Sequence, residues 1–149
     1  MTVPESAAAT LIHVLEICSY RSKLIKQYGV ENWWGLPKDE QEKNPLLLLV
    51  CDEVAQWAGS VTIPKVSKDN PMRIRAEYEA SIHAANITYA MKITQKARFS
   101  GVCFLFCGQS TRLQDGFDPG MRVNLTTVIS PPCNPPPLSK SCWEGEGLP

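Results

Sequence analysis

The sequence lacks several features that would assign it to a broad class at once. Its 15 basic and 15 acidic residues leave no net charge, so no global field marks a nucleic-acid or membrane-surface protein. No apolar run approaches the roughly 20 residues that span a bilayer. Residues 1–5 lack the basic start and apolar stretch of a signal peptide. We therefore expect no membrane segment and a cytoplasmic location.

Residues that build metal centres are also sparse. The chain has two histidines and six cysteines, but no C-x₂-C pair. We expect these cysteines to be reduced thiols that take part in neither a metal site nor a disulfide. A metal or thiol protein is an open alternative, and it would use Cys103, Cys107, Cys133 and Cys142.

One apolar run stands out, and two acids follow it almost at once. Leu46 to Val50 shows no alternation, which predicts a strand of a parallel sheet that is buried on both faces. Asp52 and Glu53 would be costly inside a core, so we expect them at the carboxyl end of the strand, where open α/β sheets bind ligands. A buried strand followed by an acidic helix start is the alternative.

Helical periodicity lies on both sides of this strand. Apolar residues recur at three- and four-residue steps over residues 5–28, with Arg21 expected to face away from the apolar stripe. The same pattern covers residues 71–100 after an Asn-Pro start. Residues 102–107 form a second wholly apolar strand. Strand, helix and strand in this order predict one parallel βαβ unit in an α/β fold.

The remaining segments have weaker patterns. Residues 38–44 are charged and predict a solvated turn, and residues 123–129 predict a short strand. From Ser130 the composition changes to a proline-rich stretch that predicts a disordered tail. We therefore divide the chain into a folded unit, residues 1–129, and a tail, residues 130–149.

Five short segments stand in a characteristic order and spacing. They are Tyr28 to Asn32, Leu47 to Ala55, Gln95 to Val102, Phe104 to Gln109 and Met121 to Leu125. The second has the form of a Walker B strand, a hydrophobic run that ends in Asp-Glu. Over roughly residues 9–129 the set resembles the later part of the motor domain of the FtsK/SpoIIIE family of DNA-pumping ATPases, most closely its actinobacterial conjugation and phage branches.

The resemblance implies a fold and a set of site residues. The fold is part of a RecA-like P-loop NTPase core, a mostly parallel sheet with flanking helices. Asp52 would hold Mg²⁺ through water, and Glu53 would activate the water that attacks ATP. Gln109 would sense the γ-phosphate at the end of the next strand. The implied cofactors are ATP and magnesium.

The resemblance also implies partners. Family members assemble as hexameric rings around double-stranded DNA, and basic residues beyond the glutamine strand grip the duplex. Arg122 and, with shifted spacing, Arg112 stand at such positions. Both would contact phosphates and add affinity without sequence preference.

One element of the family is missing from the chain. This sequence contains no G-x-x-x-x-G-K-[ST] motif, the P-loop whose backbone amides and lysine bind the phosphates of ATP. We expect a partial ATP-dependent DNA translocase that does not hydrolyse ATP alone and needs a separate chain to supply the P-loop. A non-catalytic module that docks on a complete motor or on DNA is the alternative.

Overall fold

The structure is a computed structural model that describes residues 2–108, 116 and 118–124. These residues form a mixed α/β fold that is mostly helical and contains a parallel sheet of two strands. The elements in chain order are α1 (Val3–Gln27), a 3₁₀ turn (Trp33–Gly35), α2 (Lys38–Lys43), β1 (Leu47–Cys51), α3 (Ala55–Ala58), α4 (Pro71–Ser100), β2 (Val102–Phe106) and α5 (Pro119–Asn124).

Helix α1 begins and ends on local capping signals, and it confirms the helix predicted for residues 5–28. The backbone N–H of Thr2 donates to the Glu5 carboxylate at 2.8 Å, which satisfies a donor that the first turn leaves free. The helix stops before Gly29, whose φ of +65° suits the left-handed position after a helix.

Helix α4 likewise follows its predicted boundaries. The side chain of Asn70 accepts the backbone N–H of Met72 at 2.9 Å at its start. At its end Gly101 has φ +68°, and a Cβ there would lie 2.5 Å from Cγ of Trp33. Only glycine fits this position, which lets the chain turn from α4 directly into β2.

The two strands lie side by side and parallel, as predicted. Leu47 is in register with Val102, and Cys51 with Phe106. Helices α3 and α4 make the connection between the strands. The carboxyl ends of both strands therefore lie at the same edge of the sheet.

The prediction that β1 is buried on both faces is wrong. Leu48 is 62% exposed and Val50 53%, and Leu105 beside them on β2 is 46% exposed. The described helices cover only the opposite face, where Leu49 and Phe104 pack against the core. Alternate residues of a strand point to opposite faces, so half of the leucine run is left uncovered by the described residues.

Two further segments differ from their predictions. Residues 38–43 form helix α2 rather than a turn, because Pro37 starts a helical turn and Lys43 reaches the Glu40 carboxylate at 2.8 Å. Val123 and Asn124 belong to α5 and not to a strand. The Asp118 carboxylate accepts the N–H of Gly120 at 2.7 Å and caps this helix. Residues 125–129, and the tail with its boundary at 130, lie outside the described residues.

None of the helices in the described ranges has the length and apolar character needed to cross a membrane.

Candidate functional site

The carboxyl ends of the two strands are joined by backbone hydrogen bonds. The N–H of Cys107 donates to the carbonyl of Cys51 at 2.8 Å, and the N–H of Val54 donates back to the carbonyl of Cys107 at 3.1 Å. Val54 is completely buried. The turn that carries Asp52 and Glu53 is therefore held against the segment that leaves β2.

Asp52 and Glu53 lie in this turn, at the place that the sequence predicts. Asp52 is exposed and Glu53 is half-buried. One carboxylate oxygen of Asp52 accepts the backbone N–H of Glu53 at 3.0 Å, which leaves the other oxygen without a described partner. Glu53 has φ +43°, a left-handed conformation that is uncommon for a residue with a Cβ and is concentrated at functional sites.

Helix α3, which follows the acids, is fixed by polar side chains of α4. The Asn86 amide donates to the carbonyl of Trp57 at 2.8 Å and to that of Pro4 at 3.1 Å. Nδ1 of His83 lies 2.7 Å from the carbonyl oxygen of Gly59, and since a carbonyl only accepts, Nδ1 carries the proton. Asn86 and His83 are both buried. These bonds hold α3, the residue after it and the first turn of α1 against α4.

Arg21 anchors the opposite end of the sheet, and the expectation that it faces away from the core is wrong. It is 5% exposed. Its guanidinium donates to the carbonyls of Ser100 and Gly101, each at 3.1 Å, and to that of Pro45 at 2.6 Å. Burial lowers its pKa. One side chain thus joins α1, the end of α4 and the chain entering β1.

A cleft of about 260 Å³ lies between the first half of α1 and β1. On the strand side it is lined by Leu49, Val50 and Cys51 of β1, and α1 contributes Ala7 and Leu11. Trp57 also lines it, and Asp52 stands at its rim. It is a mostly apolar space with one carboxylate beside it, which is the usual composition of a small binding site.

Cys51 forms part of the cleft wall as a neutral thiol. Burial raises its pKa to about 12, and the nearby Cys107 contributes to the same direction. A thiol that stays protonated at neutral pH is a poor nucleophile and a poor metal ligand. Cys103 lies on the uncovered face of the sheet and is exposed. Cys133 and Cys142 lie outside the described residues.

The donors in this turn suit magnesium better than a transition metal. Among residues 2–108, 116 and 118–124, no group of three or more His, Cys, Asp and Glu side chains comes together. Asp52 and Glu53 supply carboxylate oxygens only, the ligands of a hard cation. Magnesium fits such a pair because it keeps several waters and takes its other ligands from substrate phosphates.

The structure describes only part of the predicted site. Asp52 and Glu53 follow the carboxyl end of β1, whereas Gln109 and Arg112 lie outside the described residues. Arg122 is placed by its backbone in α5, and its side chain is not described. The sequence interpretation missed Arg21 and Asn86 as anchors; a polar residue at an apolar position of a helical pattern is the signal that could have found them.

No family model, curated protein or solved structure matches this chain.

Proposed function

We propose that this chain is part of an FtsK/SpoIIIE-type ATP-dependent motor that translocates double-stranded DNA. One observation carries the proposal: Asp52 and Glu53 lie at the carboxyl end of β1, where backbone bonds hold them beside the chain leaving β2. Ligands of open α/β sheets bind at this edge. The strained backbone of Glu53 supports a functional role for the turn.

The two acids have different environments and therefore different roles. Asp52 is exposed and keeps one oxygen without a described partner, so it is suited to hold a hydrated magnesium ion. Glu53 is half-buried and has a left-handed backbone conformation. It is suited to accept a proton from an attacking water. Magnesium, when bound with ATP, would neutralise charge on the phosphate oxygens.

The chain supplies only part of a nucleotide site. Without a G-x-x-x-x-G-K-[ST] loop it lacks the backbone amides and the lysine that cradle a triphosphate. In the proposed site, residues outside this sequence supply these contacts. Gln109 follows β2 by three residues in sequence, and in the proposed site it senses the γ-phosphate.

DNA contact is assigned to Arg112 and Arg122. Each would pair with a backbone phosphate, which adds affinity that is independent of sequence and sensitive to salt. Because the chain has no net charge, we expect little non-specific electrostatic attraction to DNA. The effect of a single arginine on DNA affinity should therefore be measurable.

Two titrations test the proposal. Binding of a labelled DNA duplex is measured over a salt series, and Arg122→Ala and Arg112→Ala should each reduce the slope of log K against log[salt] by about 1. Arg75→Ala, which removes an exposed arginine of α4, is the control and should leave the slope unchanged. Equal slopes for all variants would contradict the DNA assignment.

The second titration uses magnesium-ATP and the isolated chain. We expect no saturable binding below about 1 mM, because a site without a P-loop lacks most of its phosphate contacts. Micromolar affinity would show that the chain holds a complete site, and the incomplete-motor proposal would then be wrong.

A non-catalytic binding module is the second candidate function. It is favoured by the uncovered apolar face around Leu48 and Val50, because exposed contiguous apolar surface marks interaction sites. The metal version of the cysteine alternative finds no support among the described residues, where no group of three or more His, Cys, Asp and Glu side chains comes together; two of its four cysteines, Cys133 and Cys142, lie outside the described residues.

A further inference from the structure

The outer edge of β1 offers unpaired backbone groups. At the two ends of the strand, Leu47 donates to Gly101 and Cys51 accepts from Cys107, so these residues face β2. Backbone groups of successive strand residues point to alternate sides, and Leu48 and Val50 therefore point away from β2. Within the part of the chain that the structure describes, no strand lies on that side of β1.

Within the described residues, this edge carries no charged residue, proline, bulge or covering strand that would prevent pairing. Natural edge strands carry lysine, proline, a bulge or a covering element. Leu47 to Cys51 contains no charge, proline or glycine, and the described residues leave its face bare at Leu48 and Val50. An unprotected edge of this kind is a template for another strand.

The cleft lies along the same edge. β1 is the one strand among its described walls, and α1 and Trp57 of α3 form its other sides. Side chains of an added strand alternate between the two faces of the sheet. One set would enter the cleft beside Leu11 and Trp57, and the other set would cover Leu48 and Val50. The unpaired edge, the bare face and the cleft therefore adjoin one another at β1.

We propose that the outer edge of β1 binds an extended, apolar segment of another polypeptide, added as a strand, with a basic residue at the end that lies beside Asp52. The backbone of Leu48 and Val50 supplies the hydrogen bonds, the cleft selects an apolar side chain, and the Asp52 carboxylate selects the charge. The proposal holds whether or not the chain binds nucleotide.

A second copy of the chain fits this edge less well. Two-fold pairing of β1 with itself would bring Asp52 and Glu53 of each copy towards α2 of the other, which has three acids and two lysines. Edge-to-edge pairing would also place the bare faces of the two copies side by side and leave both uncovered. Packing the bare faces of two copies together would bury too little surface. Two five-residue strands cover about 170 Å², whereas a stable complex buries about 800 Å² per partner.

The probe is a capped eight-residue peptide of alternating leucine and threonine with lysine at both ends, observed by amide hydrogen exchange of the full chain. In the free protein, the amides of Leu48 and Val50 should exchange fast, while those of Leu47, Leu49 and Cys51 exchange slowly. Saturating peptide should slow exchange at Leu48 and Val50 at least tenfold.

Three comparisons separate strand addition from apolar adsorption. A peptide with every amide N-methylated should bind at least about tenfold more weakly, because it offers no backbone donors. Leu48→Pro should weaken binding about tenfold, while Leu48→Ala, which keeps the N–H, should have a smaller effect. Leu105→Lys alters the same face on β2 and should change affinity less than about twofold.

Two more substitutions test the cleft and the charge. Thr10→Trp fills the cleft from α1 and should weaken binding, whereas Thr88→Trp on the exposed side of α4 should not. A peptide with glutamate ends should bind more weakly than the lysine peptide, and Asp52→Asn should remove that preference but keep the effect of N-methylation.

Three results would overturn the proposal. Equal binding of the N-methylated peptide would mean that apolar contact alone drives it. Slow exchange at Leu48 and Val50 in the free chain at every concentration would mean that a segment of the same chain already occupies the edge. Protection that rises with protein concentration would assign the edge to a second copy.

Discussion

The carboxylate of Asp52 accepts the backbone N–H of Glu53 at 3.0 Å, and Glu53 itself is held at φ +43°. The bond forms where β1 stops and the chain turns into α3, whose first residue is Ala55. A residue with a Cβ in this conformation stores about 1–3 kcal/mol of strain. The turn that presents both acids is therefore stabilised by its neighbours and not by its own backbone preference.

Replacing Glu53 by glycine should relieve this strain. Glycine adopts positive φ freely but loses more chain entropy on folding, so we expect Glu53→Gly to raise the free energy of unfolding by up to about 1 kcal/mol. Glu53→Gln keeps the Cβ and should leave stability unchanged. Urea unfolding of the three proteins measures the difference, and a clear loss of stability in Glu53→Gly would contradict the strain argument.

The guanidinium of Arg21 should be essential for stability. Replacing it with methionine keeps most of the volume but leaves the carbonyls of Ser100, Gly101 and Pro45 without their donor. We expect Arg21→Met to lower the free energy of unfolding by about 3 kcal/mol or more. The exposed Lys23→Met is the matched control, and its change should stay within about 0.5 kcal/mol. Similar effects of the two substitutions in urea would contradict the role assigned to Arg21.

Glu5 should make stability depend on pH on the acid side. The hydrogen bond from the backbone of Thr2, and then that from the Tyr78 hydroxyl, hold the pKa of Glu5 below its usual 4.5. The contribution is fully present above the unfolded pKa and is lost as the pH falls through the lowered folded pKa.

Unfolding free energies between about pH 3 and about pH 7 check this, since the difference between the wild type and Glu5→Gln should shrink towards acid pH. Tyr78→Phe removes one of the two bonds and should give an intermediate dependence. A difference that stays constant with pH would count against the capping role of Glu5.

The cysteines should differ in their reactivity towards alkylating reagents. The thiol of Cys51 is half-buried and its pKa is raised to about 12, so in the folded protein at about pH 8 it should resist iodoacetamide. Cys103 is exposed and should react. Peptide mapping by mass spectrometry after labelling distinguishes the two sites, and urea should abolish the difference. Fast labelling of native Cys51 would contradict the raised pKa of this thiol.

The sequence predicts the parts of this fold that depend on local signals. The caps at Asn70 and Gly101 and the apolar period between them define α4 without any knowledge of its neighbours. Two apolar strands with a helix between them are enough to predict parallel pairing. The sequence also predicts that Asp52 and Glu53 follow the end of β1, because two acids are costly inside a core.

The errors concern what each element packs against. A run of leucines has the same sequence whether one or both faces are covered, so the exposure of Leu48 was not readable from the run. Arg21 looks like a surface residue until the carbonyls of Ser100 and Pro45 are placed beside it. Both depend on segments far away in sequence.

The location of a metal ion tests the central claim most directly. Substoichiometric Mn²⁺, a paramagnetic substitute for Mg²⁺, should first broaden the backbone amide signals of residues 51–54 and 107–108, because the turn after β1 and the chain leaving β2 are hydrogen-bonded together. Asp52→Asn should remove this pattern, and Asp39→Asn, in the exposed first turn of α2, should retain it. Broadening that is strongest elsewhere, or unchanged in Asp52→Asn, would contradict a metal site at the end of β1.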